Sequence, residues 1–269
     1  MAQDDFEGPM IRVVDLCTFY GERQILKNAN LDVKKGETMV ILGGSGTGKS
    51  TLLRHIIRLE RPSSGHVYIK NNDVCHMTEE GFDALRPKIG MLFQSAALFN
   101  SMTIEENVSL PLRELTHLED STIRIMTRIK LDLVGLSGFE DYMPAQLSGG
   151  MKKRAGLARA LTMDPEILLF DEPSAGLDPI TAAGIDSLIV KLKNAFRMTI
   201  VVVTHELPSA RIIADRMTMM DRGEVIAVGT LDELERSEHP RVQQFLNRVP
   251  ESEVEDPQKY LHELTQPPA

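Results

Sequence analysis

The sequence predicts an α/β fold in which helices wrap a parallel sheet. Three short apolar runs read as buried strands: MVIL at 39–42, ILLF at 167–170 and IVVV at 200–203. They alternate with segments whose apolar residues have helical spacing, at 49–59, 149–163 and 179–196. This alternation of strands and helices is typical of parallel α/β sheets.

The remaining segments predict further strands and a helical stretch. IRVVDLCTFY, a turn at Gly21 and QILKNANLDV predict β structure over the first 40 residues. Residues 66–70 and 88–93 are strand-like, and 217–229 predicts a closing hairpin. The stretch from about 95 to 146 is helical in character.

Composition excludes several classes of protein. The chain has 269 residues, of which 42% are hydrophobic and 26% charged, so it is neither disordered nor of low complexity. Two cysteines are too few for a disulfide scaffold. A net charge of −9 argues against nucleic acid as a partner. The start MAQDDFEGPM lacks the order of a signal peptide, and no apolar run approaches the length needed to span a bilayer.

A phosphate-binding loop follows the first buried strand. The pattern G-x-x-x-x-G-K-[ST] is complete in Gly43, Gly44, Ser45, Gly46, Thr47, Gly48, Lys49 and Ser50. Its glycines let backbone N–H groups surround a phosphate, and the helix that follows adds its positive N-terminal end. Lys49 supplies a charge for the β- and γ-phosphates, and Ser50 a hydroxyl for Mg²⁺. Kinases, GTPases and transporter ATPases all carry such a loop.

Two further motifs narrow the class. Leu147-Ser148-Gly149-Gly150-Met151 precedes a basic helical segment, with Ser148 as a good N-cap. ILLF then delivers Asp171 and Glu172 to the carboxyl end of the sheet, where ligands of open α/β folds bind. Asp171 is suited to hold Mg²⁺ through water, and Glu172 to orient and deprotonate an attacking water.

With these motifs in this order, the sequence resembles the ATP-binding cassette (ABC) family. The resemblance implies a phosphate-loop NTPase core (RecA-like), an N-terminal antiparallel β subdomain and a helical subdomain at about 95–146. It implies an ATPase domain over 10–249 and leaves an acidic tail at 250–269. Its cofactors would be ATP and Mg²⁺.

The resemblance also assigns roles to individual residues. Ser148, Gly149 and Gly150 would contact the ATP of a partner chain, Asp178 would belong to the D-loop, and His205 would be the switch histidine. Gln94 would sense Mg²⁺ or the γ-phosphate, Tyr20 would stack on adenine, and Thr51 would join the phosphate loop in binding ATP. Two departures are Gly44, where many relatives have proline, and Met151 in place of the signature's final glutamine. We expect Met151 to weaken support for the signature loop without loss of activity.

A narrower resemblance concerns the ATPase subunits of Mla/Mce-type phospholipid transporters. FQSAALFNSMTIEENVSLPLRE at 93–114, LSGGM and EPSAGLDPIT carry it. It implies a head-to-tail homodimer, peripheral on the cytoplasmic face of the inner membrane and bound to an integral membrane permease. A periplasmic lipid-binding protein of the MCE type would handle the lipid. The alternatives are a soluble ABC ATPase of translation or DNA repair, and a phosphate-loop kinase or GTPase.

An apolar stripe near the end of the chain predicts one more short helix. Val242, Phe245, Leu246 and Val249 are spaced as on one helical face. So short a helix has to pack on something. The sequence leaves open whether it packs on the chain's own core or on a partner subunit.

Overall fold

A computed structural model describes residues 8–250, and within that range it contains ten strands and nine α-helices. The strands are β1 (Pro9–Tyr20), β2 (Arg23–Lys34), β3 (Thr38–Leu42), β4 (Ser64–Ile69), β5 (Asn72–Asp73), β6 (Ile89–Leu92), β7 (Ile167–Asp171), β8 (Thr199–Thr204), β9 (Arg216–Asp221) and β10 (Glu224–Gly229). The helices are α1 (Lys49–Ile56), α2 (Glu79–Leu85), α3 (Ile104–Leu115), α4 (Asp120–Leu133), α5 (Gly149–Ala160), α6 (Pro179–Phe196), α7 (Leu207–Ile213), α8 (Leu231–Glu235) and α9 (Pro240–Leu246).

The main sheet has six strands in the order β10-β9-β3-β8-β7-β6. Strands β9, β3, β8, β7 and β6 are parallel to their neighbours, and β10 pairs antiparallel with β9. Every residue of β3, β7 and β8 is buried, which is why these strands read as uninterrupted apolar runs. The predicted α/β fold and the closing hairpin are therefore confirmed.

Each central strand contributes to two cores. Val40 and Leu42 of β3 pack into a cluster with residues of α5, α6, α7 and α9. Met39 and Ile41 face the opposite way, into a cluster shared with α1 and the first strands. This division follows the alternation of side chains along a strand. The second cluster is covered by an antiparallel sheet of order β2-β1-β4-β5, as predicted for the start of the chain.

In the helical segment between β6 and α5, Asn107 ties the loop at 99–103 to helix α3. Its side chain accepts a hydrogen bond from the N–H of Phe99 (2.7 Å) and donates to the carbonyls of Phe99, Met102 and Thr103. Asn107 is fully buried, so these bonds satisfy polar backbone groups that water does not reach. The stretch is helical, as predicted, through α3 and α4.

Several short elements are absent from the sequence prediction. These are β5, α2, α7 and α8. The α-helices among them have five to seven residues, too few for two full turns of apolar periodicity. The first helix also ends at Ile56 rather than at residue 59, because Arg58 adopts a left-handed backbone (φ 54°).

The final helix, α9, packs on the chain's own core. Val242 is 0% exposed and Leu246 8%, and both belong to the cluster with α5 and α6. The helix ends at Leu246, so Val249 lies beyond it and is 55% exposed. The alternative that Val242 and Leu246 pack on a partner subunit is therefore wrong. The predicted tail at 250–269 lies, apart from Pro250, outside the described residues.

No helix between residues 8 and 250 combines the length and the apolar character that a membrane crossing requires.

Replacement of Leu246 by alanine tests the packing of α9. Leu246→Ala leaves a cavity in the core, and we expect the free energy of unfolding to fall by about 2–4 kcal/mol. Val249→Ala is the control and should change it by less than about 0.5 kcal/mol, because Val249 is exposed. Denaturant unfolding of the two variants measures both values. An equal effect of the two substitutions would contradict this packing.

Candidate nucleotide-binding site

The phosphate loop joins the buried strand β3 to helix α1, as the sequence predicts. A Cβ on Gly43 would lie 2.4 Å from the carbonyl oxygen of Met220 in β9 and 2.8 Å from Oγ1 of Thr47. A Cβ on Gly48 would lie 2.7 Å from Leu26. Gly44, in contrast, has room, because its Cβ would come no closer than 3.9 Å to a side chain. Gly43 and Gly48 thus let the loop pass close to two neighbouring strands.

Lys49 is buried beneath this loop. Its Nζ donates to the carbonyl oxygens of Gly43 (2.9 Å) and Gly44 (2.7 Å). Burial lowers the pKa of Lys49, and the carboxylates of Glu172 and Asp171 oppose that shift. The ammonium group is therefore held close to the backbone that would surround a phosphate.

Basic side chains surround a cavity beside the loop. It is lined by Gly44–Thr47 and by Arg23, Lys27, Arg222 and Arg241, with Asp221 as the acidic member. Excess positive charge next to backbone N–H groups favours an anionic ligand. The loop and this cavity are suited to a polyphosphate.

Ser50 and Asp171 meet at the other side of the loop. Ser50 lies in the first turn of α1 and Asp171 ends β7, and the hydroxyl of Ser50 donates to Oδ1 of Asp171 at 2.8 Å. The side chains supply only oxygen atoms, the ligands that Mg²⁺ prefers. Gln94, which is exposed, lines the same cavity as Asp171. Of the three predicted magnesium residues, Asp171 and Gln94 thus share one cavity, and Ser50 is connected to it by the hydrogen bond to Asp171.

Glu172 is buried next to this oxygen pair. Its Oε1 lies 2.9 Å from Nδ1 of His205, whereas its buried Oε2 has no hydrogen-bond partner among the described residues. Glu172 has a left-handed backbone (φ 48°), and its N–H donates to the carbonyl of Val203 at 2.9 Å. An unpaired buried carboxylate oxygen is costly, and such atoms occur at functional sites.

Two basic residues of α5 were not singled out from the sequence. Lys153 is buried and donates to the carbonyl of Glu172 at 2.9 Å; burial lowers its pKa, opposed by Asp171 and Glu172. Arg159 donates to the carbonyls of Ala96 (2.9 Å) and Ala97 (2.8 Å), just after Gln94. The only signal in the sequence is the basic character of the helix, which equally suits a solvated face.

The signature residues line neither the basic cavity beside the phosphate loop nor the cavity of Asp171. Ser148 caps α5 by accepting from the N–H of Met151 at 3.3 Å, and both Ser148 and Gly149 are exposed. A Cβ on Gly150 would lie 2.4 Å from Thr181 of α6. Met151 packs against the core, which gives the loop an apolar anchor where an amide was expected.

Asp178 and Tyr20 have local roles in this chain. Asp178 caps α6 by accepting from the N–H groups of Ile180 and Thr181, both at 3.0 Å; bonds from Thr181 lower its pKa. The hydroxyl of Tyr20 donates to Glu60, and Tyr20 is 45% exposed. Tyr20 does not line the basic cavity beside the loop. Its predicted contact with adenine stays a prediction.

The profile of the family described as ABC transporter matches residues 26–175. The chain belongs to this family. It is thus a nucleotide-binding ATPase, and the family resemblance of its motifs is confirmed.

Individual relatives support this membership. The chain is 41% identical over 258 residues to the Haemophilus influenzae "Intermembrane phospholipid transport system ATP-binding protein MlaF", covering 95% of this chain and 98% of that protein. It is 42% identical over 240 residues to the Mycobacterium leprae "Probable ribonucleotide transport ATP-binding protein mkl", covering 89% of this chain and 69% of that protein. Among solved structures, a dimeric ATP-binding cassette in a post-hydrolysis state with ADP and Pi matches with a TM-score of 0.77 at 36% identity, over 82% of this chain and 99% of that one.

The different space around Gly43 and Gly44 provides a paired test of the loop. Gly43→Ala forces the loop away from β9 or distorts it, and we expect ATP affinity to fall at least tenfold, about 1.4 kcal/mol. Gly44→Ala is the control and should bind ATP with nearly parental affinity. Titration with a fluorescent ATP analogue measures both. Parental affinity in Gly43→Ala would contradict the close approach of loop and strand.

Proposed function

We propose that the chain is the ATP-hydrolysing subunit of a phospholipid ABC transporter. The observation that carries the catalytic part is the side chain of Glu172, buried beside the Ser50–Asp171 pair with one oxygen unpartnered among the described residues. Similarity to MlaF over 98% of that protein's length supports the substrate. The soluble ABC ATPase is not favoured, because the similarity to named transport subunits extends over most of the chain.

The geometry suggests how this chain promotes hydrolysis. Backbone N–H groups of 43–48 and the ammonium of Lys49 bind the β- and γ-phosphates and orient the γ-phosphorus. Ser50 and Asp171, assisted by Gln94, hold Mg²⁺, which when bound neutralises charge on the phosphate oxygens. Thr51 lies in the first turn of α1, next to Ser50, and is buried.

Glu172 is the general base in this proposal. Its Oε2 accepts a proton from the attacking water, while His205 holds Oε1 and fixes the orientation of the carboxylate. Lys153 donates to the backbone carbonyl of Glu172 and so helps to hold the main chain at this position. These contacts restrict the base to one position relative to the phosphate loop.

The ATP site is completed by a second copy of the chain. Ser148, the N-cap of α5, and Gly149 are exposed, and Gly150 is buried behind them. In this proposal the N–H groups at this helix start contact a partner's γ-phosphate. Asp178 lies in the adjoining D-loop. The similar solved cassette with ADP and Pi is itself dimeric, which supports a homodimer.

The dimer works on the cytoplasmic face of the inner membrane, bound to an integral membrane permease. The helical subdomain at about 95–146 contacts the permease within an ATPase domain of 10–249, and a periplasmic MCE-type lipid-binding protein receives or delivers the lipid. The name of MlaF, an intermembrane phospholipid transport protein, supports this arrangement. Nucleic acid has no part in it.

Ser148→Arg tests the shared site. The long side chain fills the space of the partner's γ-phosphate, so ATPase activity should fall at least 100-fold, about 2.7 kcal/mol, while ATP binding to a single chain is unchanged. Ser137→Arg places the same side chain elsewhere on an exposed surface and should retain activity. Steady-state ATPase rates measure the loss of activity, and a nucleotide titration measures ATP binding. Parental hydrolysis by Ser148→Arg would contradict a shared site.

Glu172→Gln removes the base but keeps the size of the side chain. We expect ATP binding to persist and hydrolysis to fall at least about 100-fold, with a dimer that retains ATP on size-exclusion chromatography. Hydrolysis at the parental rate would place the base elsewhere.

Lipid transfer tests the proposed substrate. The chain is purified from its own membranes with its associated permease and reconstituted into vesicles that contain a fluorescent phospholipid. We expect ATP-dependent movement of that lipid to acceptor vesicles, lost with Glu172→Gln. ATP-dependent uptake of a radiolabelled ribonucleotide, without lipid transfer, would instead favour ribonucleotide transport, which the name of mkl states.

A further inference from the structure

Two histidines and an aspartate converge at the β5 edge of the antiparallel sheet. Nδ1 of His66 lies 2.7 Å from Oδ2 of Asp73, and Nδ1 of His76 lies 2.8 Å from the same oxygen. The two imidazole centroids are 5.0 Å apart. Within residues 8–250, these three form the one group of at least three His, Cys, Asp or Glu residues whose ligand atoms all lie within 4.8 Å of one another.

The backbone fixes the carboxylate before any ligand arrives. Asp73 is paired with Tyr68 across β4 and β5, and its carbonyl accepts from the N–H groups of His76 (3.3 Å) and Met77 (3.1 Å) in the following turn. Its Oδ1 accepts from the N–H of Cys75 at 3.0 Å. Oδ2 therefore faces the imidazoles, and outer contacts of this kind orient metal ligands in proteins.

The ligand atoms of this group suit a cation. Two imidazole nitrogens are directed at one carboxylate oxygen. Imidazole nitrogens with one carboxylate suit Zn²⁺ and its neighbours in the first transition row, whereas Mg²⁺ and Ca²⁺ prefer oxygen ligands alone.

We propose that His66, Asp73 and His76 bind Zn²⁺ through the two Nδ1 atoms and Oδ2, with water in the remaining position. Ligands of a tetrahedral ion with bonds of about 2.0 Å lie about 3.3 Å apart, so each imidazole has to move outward by about half an ångström. The side chains of His66 and His76 are 45% and 64% exposed, which leaves them free to make that movement. Each imidazole then binds as its neutral tautomer, because the proton on Nδ1 is given to solvent and Nε2 takes one up.

Such an ion would cross-link the antiparallel subdomain. It joins β4 to the turn after β5, and the cavity of about 290 Å³ in front of it is lined by residues 61–66 and by Cys75 and His76. None of these residues lines the described cavities beside the phosphate loop. The site therefore acts on the stability of the subdomain and is independent of nucleotide chemistry.

Calorimetric titration with Zn²⁺ tests the site. The full chain is used without an affinity tag, after treatment with EDTA and without added nucleotide. We expect one tight site per chain, weakened at least tenfold by His66→Gln or by His76→Gln and abolished in the double variant. His117→Gln removes an exposed histidine elsewhere and serves as the matched control.

Thermal melts and ATPase rates complete the experiment. A hundredfold excess of Zn²⁺ over its dissociation constant should raise the melting temperature of the parent by about 5 °C but leave the double variant unchanged, and Mg²⁺ should have no such effect. The double variant should keep parental ATPase activity with Mg²⁺. If it fails to fold, Asp73→Asn takes its place. Equal Zn²⁺ affinity in parent and variants, or an equal shift with Mg²⁺, would overturn the proposal.

Discussion

The burial of strand β3 on both faces is the constraint from which the nucleotide site follows. Because β3 lies between β8 and β9, its carboxyl end opens at the same edge as theirs, and the phosphate loop leaves the sheet there. Strand β7 pairs with β8 so that Asp171 stands opposite Val203, one residue before Thr204 and two before His205. Parallel pairing thus gathers groups that are far apart in the chain.

Four charged side chains are buried at this edge of the sheet, although hydrophobic packing alone would favour apolar side chains there. Lys49, Lys153, Asp171 and Glu172 are all buried, and each lysine uses its donors on backbone carbonyls. Burial opposes the charge of both lysines, while the two carboxylates favour it. Such mutual compensation permits several charges in a site of low dielectric, where they act strongly on a polyphosphate.

The two sheets carry different sites. The parallel sheet presents the phosphate loop, the Ser50–Asp171 pair and Glu172, all on rigid strand ends or helix starts. The antiparallel sheet covers one core and carries, at its edge strand β5, the His66–Asp73–His76 group proposed to bind Zn²⁺. At the start of α5, Ser148 and Gly149 are exposed and line neither cavity beside the chain's own loop, which is consistent with a site shared between two copies.

The main elements and the phosphate loop could be predicted from the amino-acid order alone, because apolar runs and glycine spacing are local properties. The amino-acid order also paired Asp171 and Glu172 with the loop through the general rule for parallel sheets. The folded chain was needed to show the contacts of Lys153 and Arg159, the hydrogen bond from Tyr20 to Glu60, and the burial of Leu246. Each of these depends on which elements pack side by side, and a periodic pattern defines an apolar or charged face without defining what lies against it.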